Sequence, residues 1–160
     1  MSEAALLVPA RDEHFAWMLG EIGPPEGLTL PPGGIDEPWV LEWARGNRAR
    51  IEGPGSWLMV AAGEVVGLCG YKHPPNAKGG VEFGYGVAPE RRRRGHATQA
   101  VAELVAAARD DPRVVRLFAQ TALNNRPSQR VLELNGFEAV GKGHDEDEGE
   151  TIVWRLKVGA

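Results

Sequence analysis

A chain of 160 residues is long enough for one domain with a sizeable core, and 42% hydrophobic and 25% charged residues are the proportions of a globular protein. A formal net charge of −4 argues against a wholesale nucleic-acid binder, and a single cysteine, Cys69, excludes an internal disulfide or a cysteine-based metal cluster. The first apolar run, residues 4–8, is short with no basic residue ahead of it, so it reads as neither signal peptide nor membrane span, and a cytoplasmic enzyme or binding domain fits.

In chain order, residues 5–9 read as a first strand and Asp12 as the cap of a helix running through Leu19. Residues 20–38 are rich in Gly and Pro and read as loop. Residues 38–44 carry Trp39, Val40, Leu41 and Trp43 at helical spacing, with Gly46 near the end of that helix. Two apolar runs, 57–62 and 65–71, joined by Gly63-Glu64, predict a hairpin. A turn over 73–80 leads into a strand over 81–87. From His96 onward, Ala97, Ala100, Val101, Leu104, Val105 and Ala108 keep the i, i+3, i+4 rhythm of one buried helix face, ended by Asp110-Asp111-Pro112. A strand over 114–121 follows. Asn125 then opens a shorter helix with Pro127 in its first turn and Asn135-Gly136 at its close. Residues 137–140 and 151–156 are the last strands, either side of an acidic loop over 144–150. The order β-α-α-β-β-β-α-β-α-β-β predicts an α/β fold, one domain over 1–160, with helices on the faces of a mixed sheet.

The most informative stretch is Arg92-Arg93-Arg94-Gly95-His96-Ala97, between the strand 81–87 and the long helix. A helix start leaves backbone N–H groups without intrahelical partners, and its dipole favours negative charge. Gly95 lets the backbone approach a ligand closely, Ala97 keeps the first turn open, and arginine forks suit phosphate oxygens. The stretch therefore reads as a phosphate cradle at a helix N-terminus. Taken alone, the four arginines at 91–94 fit a solvated basic turn or a nucleic-acid contact equally well.

Three ordered motifs resemble the GNAT superfamily of N-acetyltransferases, in particular the branch holding the ribosomal-protein N-terminal acetyltransferases and many small-molecule acetyltransferases. Glu82-Phe83-Gly84-Tyr85 is similar to that branch's Glu-Ile-Gly-Tyr strand. Val87-Ala88-Pro89-Glu90 runs into Arg92-x-x-Gly95-x-Ala97, which resembles the acyl-CoA pyrophosphate loop. Asn125-Arg126-Pro127-Ser128, then Val131-Leu132 and Asn135-Gly136-Phe137, resembles the Asn-x-x-Ser-x-x-Val-Leu-x-x-x-Gly-Phe signature. The resemblance implies a mainly antiparallel α+β sheet with helices on both faces and splayed central strands, the acyl-CoA N-acyltransferase fold. It also implies transfer of acetyl from acetyl-CoA to an amine, with no metal. Two positions depart from the branch: Gln99 stands where a glutamate is usual, and Leu132 where many relatives carry a tyrosine acid.

Acetyl transfer from a thioester to an amine needs a grip on CoA, a polarised carbonyl, a deprotonated amine and a hydrogen bond or proton for the leaving sulfur. By resemblance, Arg92, Arg93, Arg94, Gly95, His96, Ala97 and Thr98 grip CoA and the backbone N–H near Val87 polarises the carbonyl. Glu82, five residues before Val87, is the base candidate; Asn125 bonds the pantetheine amides. Ser128 takes the place of the absent tyrosine as acid. Each has a plainer alternative: solvation for the arginines, a strand-face carboxylate for Glu82, helix capping for Asn125 and Ser128. His96 is expected to point outward and His73 to lie at the surface. Trp39, Trp43 and Trp57 are expected chiefly in the core, with Trp39 a candidate to line a pocket.

The reaction expected is direct attack by a primary amine, of a small molecule or protein N-terminus, in a ternary complex, because Cys69 lies two strands too early to serve as a nucleophile. The acceptor segments are 20–38 and 141–150, and the acidic loop favours a cationic amine. No nucleic-acid or membrane partner is expected; a homodimer is compatible with the sequence. A competing reading is a non-catalytic CoA-binding or regulatory module, which an amine-acceptor assay separates; a third is an RNA-associated protein using the arginine run, tested by salt-dependent binding.

Overall fold

Two consecutive residues in left-handed backbone, Ala62 (φ 50°) and Gly63 (φ 80°), close the first hairpin, as a two-residue turn matched to strand twist requires. They join β2 (Ser56–Ala61) to β3 (Glu64–Tyr71), and β1 (Leu6–Pro9) pairs antiparallel with the other edge of β2. The computed structural model describes residues 5–160. It continues the sheet through β4 (Gly80–Val87), β5 (Arg116–Ala122), β6 (Glu138–Asp145) and β7 (Gly149–Lys157) in the order β1-β2-β3-β4-β5-β7-β6. Every neighbour pair is antiparallel except β4–β5.

The helices are α1 (Asp12–Met18), α2 (Pro38–Arg50), α3 (His96–Arg109) and α4 (Arg126–Leu134), with a short 3-10 turn at Pro89–Arg91. Strand alternation separates two cores. Leu58 and Val65 face one side with Phe15, Ile35 and Leu41, under α1 and α2. Met59, Val66, Phe83, Leu117 and Trp154 face the other with Val101, Leu104 and Leu132 of α3 and α4. The expected order of elements and the helices on both faces are thus present.

Three boundaries differ from expectation. Asp12 is the first helical residue of α1, not its cap, and its carboxylate accepts from Arg45 at 2.7 and 2.8 Å; the N–H of Arg11 is taken by His14 Nδ1 at 2.9 Å. α2 runs through Gly46 to Arg50, since one exposed glycine costs only about 1 kcal/mol in a helix held by tertiary contacts. The acidic stretch is mostly strand: β6 reaches Asp145 and β7 starts at Gly149, so the loop shrinks to residues 146–148, and Asp145 Oδ1 accepts from the N–H groups of Asp147 and Glu148.

The parallel junction positions the site. β4 pairs with β5 only over Gly80–Glu82 against Arg116–Phe118. Beyond it, residues 83–87 keep their partner β3, residues 119–122 keep theirs, β7, and the two strands part. The closed end is pinned by Gly79, whose carbonyl accepts from Val115 N at 2.7 Å and Arg116 N at 3.0 Å.

Candidate active site

The parting of β4 and β5 opens a cavity of about 960 Å³. It is lined by β4 and β5, by the start of α4, by Trp39 and Trp43 of α2, and by the β6–β7 turn. Glu82, Asn125 and Ser128, three of the expected site residues, all line it. Glu82, Gly84 and Gly86 form the α2-facing set of β4, with Asp36 Oδ2 above Gly86 and Lys72 beside Gly84. Phe83 and Tyr85 form the opposite set, stacked at 6.0 Å with an interplanar angle of 29°. The opening therefore joins a carboxylate on one sheet face to hydroxyls on the other.

Glu82 sits in a polar network. Its Oε2 accepts from Lys72 Nζ at 2.7 Å and its Oε1 from Gln120 Nε2 at 3.2 Å; Gln120 Oε1 in turn accepts from Thr151 Oγ1 at 2.5 Å. The Glu82 N–H donates to His73 Nε2 at 3.2 Å, which places the ring proton of His73 on Nδ1, facing the Pro74 carbonyl at 2.8 Å. His73 is thus half-buried and bonded to β4 instead of standing at the surface.

At the start of α4, Asn125 is the N-cap: its Oδ1 accepts from Ser128 N at 3.2 Å. The capping alternative therefore holds for Asn125, while its amide nitrogen remains a donor. Ser128 Oγ lies 2.6 Å from Tyr85 Oη, and the same phenol reaches the Ser128 carbonyl at 3.1 Å. Burial pushes the Tyr85 phenol up to about 12. Leu132, one turn along α4, is fully buried and belongs to the core.

The arginine run divides. Arg91 is held bidentately by Glu64, with Nε to Oε1 at 2.6 Å and Nη2 to Oε2 at 3.1 Å. Arg92 Nε donates to the Val87 carbonyl at 3.2 Å, tying the loop to the end of β4. Arg93 and Arg94 are exposed, Arg93 in left-handed backbone at φ 66°. Gly95 is the N-cap of α3 at φ 79° and supplies no capping side chain; nothing lies within 4 Å of where its Cβ would be. That open space and uncapped helix start fit a phosphate group. His96, expected to point outward, is buried, because as the first helical residue it turns into the sheet side of α3.

Trp57 is buried, but Trp39 and Trp43 are 59% and 49% exposed, so these two are cavity wall and not core. Sequence reasoning did not single out Lys72, Gln120 or the contact of Tyr85 with Ser128. Lys72 and Gln120 meet Glu82 only through strand pairing and the β4–β5 junction, which no local pattern encodes; Tyr85 stood within the quoted Glu-Phe-Gly-Tyr motif. Among the described residues no group of three or more His, Cys, Asp or Glu side chains is placed to hold a metal, and no described helix is long and apolar enough to cross a membrane.

Residues 6–138 match the acetyltransferase (GNAT) domain family. No curated protein is significantly similar in sequence. Among solved structures, the chain is similar to RimL, a ribosomal-protein alpha-N-acetyltransferase in complex with coenzyme A. That likeness has 15% identity over 98% of this chain and 96% of that one, with a TM-score of 0.70. It is similar to Mycobacterium smegmatis RimJ in complex with CoA-disulfide at 20% identity, over 94% and 80% of the two chains, with a TM-score of 0.68. It is also similar to AAC(6')-Ib in complex with paromomycin and acetyl-CoA at 16% identity, over 96% and 93%, with a TM-score of 0.70. At these identities the likeness is one of fold.

Proposed function

The chain belongs to the acetyltransferase (GNAT) family and is an acetyl-CoA-dependent N-acetyltransferase, and we propose that its acceptor is a cationic primary amine that attacks directly in a ternary complex. The observation that carries this reading is the cavity itself. One opening exposes a carboxylate, Glu82, on the α2 side and a hydroxyl, Ser128, on the α4 side. A direct transfer between two bound substrates needs groups of those two kinds on opposite sides of the reacting carbon.

Acetyl-CoA supplies the activated acyl group, and this chain's residues do the rest. The first-turn N–H groups of α3 and the loop 92–98, with the exposed Arg93 and Arg94, bind phosphate oxygens. Asn125 offers its amide to the pantetheine arm. A main-chain N–H near Val87 polarises the acyl carbonyl. Glu82 accepts a proton from the incoming ammonium, directly or through water, and Ser128 donates a hydrogen bond to the leaving sulfur.

The acceptor enters between α2 and the β6–β7 turn. That channel carries Asp36, Asp145, Glu146, Asp147 and Glu148 against Lys72 and His144, with the indoles of Trp39 and Trp43 on its wall. The negative balance attracts a cation, and aromatic faces add cation–π attraction. The test is a coupled assay for free CoA over a panel of amines of matched skeleton and differing charge, with mass spectrometry of the product. A rate highest for acceptors with a second positive charge, weakening as salt is raised, supports the reading; equal rates for anionic and cationic amines overturn it.

A further inference from the structure

We propose that Tyr85 is a positioning residue: its hydroxyl donates to Ser128 Oγ and so turns the serine proton away from β4 and into the cavity. The pair crosses from β4 to α4, 43 positions apart in sequence, at 2.6 Å, which is the short range for a hydroxyl–hydroxyl bond. Of two hydroxyls in contact, the stronger acid donates, and a phenol at about 10 is far more acidic than an aliphatic alcohol. A serine that accepts through a lone pair keeps its own proton for a third partner.

Three features fix the arrangement. The Tyr85 ring is stacked on Phe83, which sets the phenol's direction. Ser128 is anchored by the bond from its N–H to Asn125 Oδ1, and its carbonyl, at 3.1 Å, competes for the phenol's one proton from farther away than Oγ at 2.6 Å. Burial holds the phenol up at about 12, so it stays protonated at neutral pH and acts as a fixed donor, not as a source of protons. Leu132, on the next turn of α4, is sealed in the core, so the aromatic hydroxyl reaches this end of the cavity from the strand instead of from the helix.

The proposal rests on the reading of Ser128 as the group facing the leaving sulfur. The test is a double-mutant cycle of Tyr85→Phe and Ser128→Ala, read three ways: kcat, CoA affinity by calorimetry, and the urea midpoint of the unliganded protein. Phenylalanine keeps the stack on Phe83, so the fold survives. Tyr85→Phe is expected to lower kcat about tenfold, the rate equivalent of one ordinary hydrogen bond, with CoA affinity unchanged. Adding it to Ser128→Ala should slow the enzyme no further, and the two substitutions should be non-additive in the urea midpoint. Losses in kcat that multiply in the double variant, or a kcat untouched by Tyr85→Phe while the midpoints are coupled, overturn the positioning role. A kcat untouched by Ser128→Ala overturns the reading of Ser128 instead, whatever Tyr85→Phe does.

Discussion

Lys72 and Glu82 face each other where β3 runs out beside β4: the Lys72 N–H donates to the Glu82 carbonyl at 2.8 Å, and the side chains pair at 2.7 Å. Both side chains are about a quarter exposed, at the floor of the cavity. The only carboxylate of β4 that lines the cavity is therefore already matched to a cation, and its second oxygen is held by Gln120. An ammonium acceptor arriving at Glu82 shares that carboxylate with Lys72. The pair fixes the direction of the carboxylate and keeps an ammonium beside it as the substrate approaches.

The phosphate cradle makes a first prediction. Gly95 occupies φ 79° with empty space above it. Valine there is strained in backbone and fills that space. Acetyl-CoA should raise the melting temperature of the wild type progressively with concentration, as binding to the native state requires. In Gly95→Val the rise should vanish. A full-sized rise in the variant would place CoA elsewhere.

The arginine run should separate into structural and binding members. The side-chain hydrogen bonds from Arg91, ahead of its charge, hold the Glu64 carboxyl below its usual value of about 4.5. A carboxyl depressed in the folded state contributes stability above its unfolded pKa, and that contribution is lost as pH falls through the folded value. Arg91→Gln should therefore lower the melting temperature at pH 7, with the deficit shrinking as pH drops below about 4.5. Arg93→Gln and Arg94→Gln should leave stability alone and weaken CoA binding in a salt-dependent way. A stability loss from Arg94→Gln equal to that from Arg91→Gln would contradict the division.

The fold was more legible in the sequence than the site. Element order followed from periodicity and from Gly/Pro punctuation, because α3 buries one face and shows it as a helical rhythm, while the hairpin strands bury both and show it as continuous apolar runs. The errors lie where tertiary contacts override local signals. Gly46 sits inside α2, whose neighbour Arg45 clamps Asp12 and Glu21. Acidic residues at 144–150 enter a hairpin because β7 pairs with β5 on one side and β6 on the other. The motifs placed Glu82, Asn125 and Ser128 at one cavity, but their immediate partners Lys72, Gln120 and Tyr85 depend on register and strand splay.

The closed end of the splay should be sensitive to one atom. A Cβ on Gly79 would lie 2.5 Å from Val115 Cγ2, in backbone at φ 81°. Its carbonyl also anchors two N–H groups of the segment entering β5. Gly79→Ala adds positive-φ strain to overpacking and should cost about 2 kcal/mol or more in urea unfolding. An effect below about 0.5 kcal/mol would mean that Val115 moves aside freely and the junction is not a rigid clamp.

Glu82→Gln tests the base. A primary amine titrates near the lysine value of about 10, so at neutral pH nearly every acceptor arrives charged and needs its proton removed. Glutamine preserves shape but loses the charge, and its single carbonyl oxygen can accept from only one of Lys72 and Gln120. If Glu82 takes the proton, the variant should be slowest relative to wild type near pH 7, and the gap should narrow toward pH 10, where free amine is plentiful. The size of the gap at pH 7 should lie within the range of a positioned base, about 100-fold to 10,000-fold. Leaving Lys72 without its counter-charge adds a pH-independent rise in KM for a cationic acceptor, so kcat and KM must be followed separately across the range. A variant in which only KM rises, by the same factor at every pH, would make Glu82 an electrostatic anchor for the acceptor; an unchanged kcat profile would remove it from the proton transfer.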